Sequence, residues 1–200
     1  MQVNILNEHG LEEAALGMSL SFKDRAIEVT DWWTHERAGK IRGIMEVNAG
    51  RGMGHDKFLR QITVYLMVNA PRYFWSEFDT YKVGVTTQSE STMHTLMRRD
   101  MVTEDLEGDQ EWAKEELVDI FNEVKNSTDN LTIQILKQFV PESYLQRRVI
   151  SLNYAVLRCI IDQRSKHKLP EWAFFIDAIY NQCSHPELLP KKDNKKKVGG

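Results

Sequence analysis

The sequence lacks features that mark several classes of protein. It has only two cysteines, Cys159 and Cys183, and Cys159 lies in the apolar helical run from Val156 to Ile161. No disulfide framework is therefore predicted, and the low cysteine content indicates a reducing compartment. No run of about 18 uncharged apolar residues occurs, and the N-terminus MQVNILNEHG has no basic region followed by an apolar stretch. We expect a cytoplasmic protein that neither is exported nor spans a membrane.

An excess of charge of one sign is also missing. The 26 Lys and Arg residues are balanced by 29 Asp and Glu residues, which leaves a formal net charge of -3. A dedicated nucleic-acid binder is disfavoured because phosphate neutralisation needs a strongly basic face. Residues 191–200 are rich in lysine but poor in apolar surface, so we predict a disordered, solvated tail there. No CxxC or HExxH spacing occurs, and no metal site is predicted.

What is present is a hydrophobic pattern that predicts a single domain over residues 1–190. Apolar and polar residues alternate over residues 61–69, and this predicts a strand, with a shorter strand over residues 3–6. Helical spacing predicts a further helix that starts at Pro71. Residues 83–91 lack a helical period and are predicted to form a polar loop. The remaining predicted helices cover residues 11–22, 31–47, 112–124, 131–139, 144–164 and 170–181.

Two polar segments are candidates for ligand binding. His55 follows Gly54, whose missing side chain allows close approach to a ligand, although a solvated or helix-capping histidine explains the same residues. Residues 86–92 are dense in hydroxyl groups and could hold a phosphate if Ser91 begins a helix; an ordinary capping segment is the alternative. Surface arginines such as Arg148 and Arg158 are expected to be solvated or paired with acids.

Three stretches in order, Gly54-His55-Asp56-Lys57-Phe58-Leu59, residues 70–94 and residues 144–172, resemble the flavin-dependent thymidylate synthases. In that family a Gly-His element precedes a strand. A helix then leads to an arginine-histidine-arginine loop with a serine-containing end, and a late helix carries an asparagine and arginines. The resemblance implies an α/β (α+β) fold with a central mixed or antiparallel sheet flanked by helices. Order and spacing match, whereas the signature residues match in part.

The resemblance also implies ligands and site residues. Family members use FAD, NADPH and methylenetetrahydrofolate to convert dUMP to dTMP, and a homotetramer is implied. Arg147 would hold the nucleotide together with Ser91 if the loop carries one inserted residue, or with Glu90 if it does not. Asn153 and Arg164 would share one face of the predicted helix over residues 144–164. The residues implied in cofactor binding are His55, Thr80, Tyr81, Lys82, Gln88, Asn153 and Arg164.

Departures from the family pattern leave several functions open. Thr80, Tyr81 and Lys82 stand where the family has arginine, histidine and arginine, and Met93 replaces another arginine. A variant reaction on a different pyrimidine nucleotide, or one that makes a hydroxymethylated base, is one alternative. A non-catalytic nucleotide-binding or interaction protein on the same fold is another, and a nucleic-acid role for the lysine tail is a third. No catalytic residue is predicted with certainty.

Overall fold

This computed structural model describes residues 1–22, 35–127 and 129–192 of the chain. Its four strands form one antiparallel sheet in the order β1-β2-β4-β3. Together with eight α-helices in the described residues, the sheet confirms the predicted α+β class. The strands are β1 (Gln2–His9), β2 (Thr63–Pro71), β3 (Thr86–Ser89) and β4 (Leu145–Asn153). The helices are α1 (Leu11–Ser19), α2 (His35–Asn48), α3 (Arg72–Phe78), α4 (Thr92–Arg98), α5 (Glu111–Ser127), α6 (Ile133–Phe139), α7 (Tyr154–Arg164) and α8 (Pro170–Gln182).

The chain divides into two compact units. The first comprises Met1–Asn4 and Leu66–Ile150, and the second comprises Ile5–Tyr65 and the residues from Ser151 onward. The expectation of one domain over residues 1–190 stays a prediction. No helix in the described ranges is both long enough and apolar enough to cross a membrane.

Aromatic side chains of α3 form one part of the core of the first unit. Phe74, Trp75 and Phe78 are each at most 1% exposed, and their rings meet at centroid distances of 5.5 to 5.9 Å. Burying a large apolar side chain contributes about 1.5–3 kcal/mol, so these three residues anchor α3 firmly. A second cluster of the same unit is built around Phe121 of α5 and comprises Leu96, Met101, Leu106, Phe121, Leu136, Val140 and Tyr144.

The core of the second unit is built mainly from α7 and α8. Trp172 and Phe175 of α8 are fully buried, with ring centroids 6.0 Å apart. Leu157 and Ile160 supply the buried face of α7 at helical spacing. Each of these helices therefore has a well-defined apolar stripe along its buried face.

Strand β2 confirms the prediction made from alternation. Val64, Leu66 and Val68 are completely buried, whereas Tyr65 and Met67 are 39% and 38% exposed. The strand continues to Pro71, which takes the N-cap position of α3 instead of the predicted first helical position. Proline suits this end of a strand because the ladder no longer needs its missing N–H.

The predicted helix over residues 144–164 is wrong in its first half. Residues Leu145–Asn153 form strand β4, and only Tyr154–Arg164 is helical. Ile150 and Leu152 are buried, Ser151 between them is half-buried, and Val149 before Ile150 is 39% exposed, which is the period of a strand. The helical stripe at the start of this segment rested on three apolar residues, and pairing with a distant strand overrode it.

The predicted loop over residues 83–91 contains strand β3. This short strand lies at the end of the sheet order and has no fully buried side chain. An edge strand of polar residues shows no alternation of apolar and polar positions, so its sequence carries no strand signal of the usual kind.

Most other predicted elements are confirmed with shifted ends. Helix α1 continues as a 3-10 turn over Leu20–Phe22, and β1 is longer than the predicted strand. The first four residues of the predicted helix over 31–47 lie outside the described residues, as do residues 193–200 of the predicted tail. Lys192, at the start of that tail, pairs with Asp177 at 2.7 Å.

The two cysteines differ in exposure. Cys159 is exposed although its apolar neighbours predicted burial, while Cys183 is buried.

Candidate functional site

A cavity of about 280 Å³ in the first unit is surrounded by α3, α4, α6 and β4. Three cations line it, namely Arg72, Lys137 and Arg148, and Asp79 supplies one carboxylate. Thr92 and Gln146 add neutral hydrogen-bonding groups. Glu142 pairs with Arg72 and Asp79 pairs with Arg148, so the cavity keeps a surplus of one positive charge and suits an anionic ligand.

Arg148 is held in place on three sides. Its Nη1 donates to Asp79 Oδ1 at 2.7 Å, and its Nε donates to Gln146 Oε1 at 3.2 Å. The guanidinium carbon lies 4.3 Å from the centroid of the Trp75 ring, a cation–π contact. The pairing with an acid confirms the expectation for this arginine. It is only 14% exposed, however, and it faces the cavity, which the expectation of a surface arginine did not include.

The other two cations of the cavity are held more loosely. Arg72 pairs with Glu142 across 3.4 Å and donates to the carbonyl oxygen of Val140 at the same distance. Lys137 lies on α6 with an exposed side chain and has no hydrogen bond or ion pair to any part of the chain that the structure describes. Its ammonium group is available to a ligand or to water.

Arg147 lies next to Arg148 on β4 but makes a different set of contacts. Its Nε and Nη2 donate to the two carboxylate oxygens of Glu90, each at 2.9 Å. The hydrogen bond from Arg147 holds the pKa of the Glu90 carboxyl below its ordinary value. The Arg147 side chain is 64% exposed. The structure thus joins two residues of the predicted nucleotide site, with Glu90 in the position that an anionic ligand of Arg147 would take.

Ser91 follows Glu90 and is the N-cap of α4, as the phosphate-binding prediction required. Helix α4 covers only Thr92–Arg98, and the Ser91 side chain makes no capping hydrogen bond. The Ser91 carbonyl oxygen accepts a hydrogen bond from the Thr95 hydroxyl at 3.1 Å. Gln88 is exposed on β3. Neither Ser91 nor Gln88 lines the cavity beside Arg148.

The segment that replaces the arginine-histidine-arginine loop follows α3 directly. The Thr80 hydroxyl donates to the Glu77 carbonyl oxygen at 2.7 Å, which closes the end of that helix. The Tyr81 ring is half-buried, 6.0 Å from the ring of Phe78, and Lys82 is exposed. These three predicted cofactor residues therefore belong to the surface of the first unit.

His55 lines a separate cavity of about 490 Å³ in the second unit. Gly54 and Lys57 lie beside it, Phe58 supplies an apolar wall, and Gln61 adds an amide. Gly54 has a φ of 83°, in the left-handed region that favours glycine. The turn that the glycines predicted thus positions an exposed histidine at the edge of a cavity.

Asn153 and Arg164 lie at opposite ends of α7, and the prediction that they share one face of a helix stays a prediction. Asn153 is the N-cap, and its Oδ1 accepts a hydrogen bond from the Val156 N–H at 3.1 Å. Arg164 ends the helix with its guanidinium carbon 4.7 Å from the Trp172 ring centroid. At a rise of about 1.5 Å per residue, roughly 16 Å separates the two backbone positions.

Sequence reasoning missed Arg72 and Lys137 and gave Arg148 no ligand role. The strand period of β4 was the signal that could have revealed the role of Arg148. Neighbouring residues of a strand face opposite sides of the sheet, so Arg147 and Arg148 must have different surroundings. No group of three or more His, Cys, Asp or Glu residues suited to a metal ion occurs in the ranges that the structure covers.

Two crystal structures of thymidylate synthase X from Helicobacter pylori, each with FAD and dUMP, have the same fold as this chain. Each superposes with a TM-score of 0.77 over 94% of this chain. The matched regions cover 97% and 98% of the two neighbours, at 16% and 17% sequence identity. Neither a scan of protein-family models nor a search of curated protein sequences found a match. The chain therefore has the flavin-dependent thymidylate synthase fold that its sequence predicted.

Proposed function

We propose that this protein transfers a one-carbon unit to a pyrimidine deoxynucleotide, converting dUMP to dTMP or carrying out a close variant of that reaction. Methylenetetrahydrofolate would donate the carbon, and NADPH would supply the hydride that reduces it to a methyl group. FAD would be the cofactor. A homotetramer in the cytoplasm completes the proposal, as the family resemblance implies.

The cationic cavity of the first unit is the observation that carries the proposal. A nucleoside monophosphate brings a phosphate group with a charge near -2. The cavity offers three cations, Arg72, Lys137 and Arg148, of which Arg72 pairs with Glu142 and Arg148 with Asp79. Ligand sites are commonly concave pockets with a few polar groups at fixed positions. The fold supports a pyrimidine nucleotide as the ligand, because both structural neighbours were crystallised with dUMP.

The cavity beside His55 fits part of a flavin. Phe58 and Met18 give it an apolar surface that suits a planar ring, while Lys57 and Gln61 provide hydrogen-bond donors at its edge. FAD, when bound, would relay the hydride from NADPH to the transferred carbon. The other predicted cofactor residues, Thr80, Tyr81, Lys82, Gln88, Asn153 and Arg164, remain part of the proposal.

The chemistry of the cysteines supports a route without an enzyme thiolate. Burial raises the pKa of the Cys183 thiol to about 11, so little thiolate forms near neutral pH. Cys159 is exposed on α7 and lines neither cavity. A cysteine that attacks the pyrimidine ring is therefore not part of the proposed reaction.

One observation favours a non-catalytic nucleotide-binding protein as a second candidate. Glu90 occupies the Nε and Nη2 edge of the Arg147 guanidinium, so a phosphate that binds this edge has to displace Glu90. A protein that binds nucleotide through the cavity alone would use the fold without the reaction.

The visible absorption spectrum of the full chain tests the proposal. After incubation with FAD and desalting, retained flavin bands are expected, and the chain should then form dTMP from dUMP, methylenetetrahydrofolate and NADPH. His55→Ala should weaken FAD retention, whereas His94→Ala, which changes an exposed histidine outside both cavities, should not. Binding of dUMP without any retention of FAD would instead favour the non-catalytic candidate.

A further inference from the structure

We propose that Arg148 is the principal phosphate-recognising residue of the cavity in the first unit, and that Trp75, Asp79 and Gln146 are its positioning residues. This inference rests on the nucleotide site of the proposed function and assigns its specificity to one side chain. Arg148 would distinguish a nucleoside monophosphate from the same nucleoside without phosphate.

The positioning of Arg148 is the first step of the argument. Trp75 is itself fixed, because its ring N–H donates to the Gln146 carbonyl oxygen at 2.9 Å and it is 1% exposed. The indole ring contacts the guanidinium, whose carbon lies 4.3 Å from the ring centroid, and Asp79 and Gln146 each accept one of its N–H groups. An arginine that is already ordered loses little side-chain entropy when a ligand binds.

The unused donors are the second step. Only two N–H groups of Arg148, one on Nη1 and one on Nε, have acceptors among the described residues. The remaining N–H groups, including both on Nη2, are left for water or a ligand. A planar guanidinium with adjacent free N–H groups matches two oxygens of a phosphate.

The third step is the contrast with Arg147. Glu90 takes the edge of that guanidinium formed by Nε and Nη2. The Arg147 side chain is 64% exposed, against 14% for Arg148. A charge-assisted hydrogen bond is stronger in a partly desolvated cavity than at an exposed surface, because water screens it less. Arg148 therefore has lower exposure and a more fixed orientation than Arg147, and it keeps free donors.

Isothermal titration calorimetry of the full chain with dUMP, deoxyuridine and inorganic phosphate tests the assignment. Arg148→Met should weaken dUMP binding about ten- to hundredfold, the loss expected for charge-assisted hydrogen bonds. Deoxyuridine binding should stay the same. Arg148→Lys should recover only part of the loss, since an ammonium group cannot reproduce the planar contacts. Asp79→Asn should weaken dUMP binding less than Arg148→Met does.

Arg98→Met is the matched control, because it removes an exposed cation of the same unit that does not line the cavity, and it should leave all three affinities unchanged. Circular dichroism and urea unfolding verify that each variant is folded. The assignment is overturned if Arg148→Met binds dUMP as tightly as the unmodified chain. It is also overturned if deoxyuridine binding falls by the same factor, or if the unmodified chain binds neither dUMP nor phosphate. Selective loss of dUMP binding in a chain that never retains FAD would support Arg148 while refuting the proposed reaction.

Discussion

Replacing Tyr154 by phenylalanine should destabilise the second unit through one hydrogen bond. Tyr154 begins α7 and is fully buried, and its hydroxyl donates to Glu8 Oε1 at 2.5 Å. The other oxygen of Glu8 accepts the Ser184 N–H at 2.6 Å. Burial and the neighbouring Glu8 raise the pKa of Tyr154 far above its ordinary value, so the hydroxyl remains a donor at any ordinary pH.

The magnitude follows from what the substitution leaves behind. Tyr154→Phe keeps the ring and its packing but removes a hydrogen bond to a carboxylate, which is typically worth about 1.5–3 kcal/mol. Glu8 keeps its bond from Ser184 and is partly accessible to water, so part of its solvation is retained. We therefore expect a loss of about 2 kcal/mol in the free energy of unfolding.

Urea unfolding monitored by circular dichroism measures this loss, provided that the slope against urea concentration is unchanged. Tyr65→Phe is the matched control, because Tyr65 is 39% exposed and its hydroxyl has no hydrogen bond to the described residues. The control should stay within about 0.5 kcal/mol of the unmodified chain. If Tyr154→Phe does the same, the hydrogen bond to Glu8 contributes nothing and the reasoning is refuted.

Three further predictions concern the backbone, the thiols and the dependence on pH. Gly10→Ala should lower the midpoint of thermal unfolding, since Gly10 has a φ of 93° and an added Cβ would lie 2.3 Å from a backbone oxygen. Gly43→Ala should raise the midpoint, because alanine favours a helix over glycine by up to about 1 kcal/mol. Equal midpoints for the two variants would contradict this. A thiol reagent at pH 8 should modify Cys159 much faster than Cys183, whose pKa is raised to about 11 by burial, and mass spectrometry of the labelled peptides decides the order. Glu90→Gln should reduce stability by less than about 1 kcal/mol at neutral pH, because the partner arginine is largely exposed. The lowered pKa of Glu90 means that its contribution is present above the ordinary value of 4.5 and is lost as the pH falls through the lower folded value, so the two unfolding curves should converge in acid.

The local pattern of apolar residues was enough to predict those helices and strands whose buried face it marks. Strand β2 followed from strict alternation over Val64, Leu66 and Val68, and α8 followed from a proline start and a buried stripe that includes Trp172 and Phe175. In these segments the buried face is set by the segment's own residues, so neighbours distant in sequence reinforce the pattern and do not change it.

The site depended on one segment that the same reasoning misassigned. In a helix, Arg147 and Arg148 would point about 100° apart around the axis. In strand β4 they turn to opposite sides of the sheet. Arg148 meets Trp75 and Asp79, and Arg147 meets Glu90. The role of Arg147 in nucleotide binding stays a prediction, and so do those of Ser91 and the cofactor residues.

The sequence by itself determined the α+β class, the resemblance to the flavin-dependent thymidylate synthases, and most helix positions, because these depend on the order and period of residues along the chain. Only the tertiary structure decided that residues 86–89 and 145–153 are strands, since their backbone N–H and C=O groups pair with strands far away in sequence. It also decided that Arg148 lines a cavity and pairs with Asp79, whereas Arg147 is exposed and pairs with Glu90. That choice depends on side chains from α3, α4 and α6 that no local pattern could bring together.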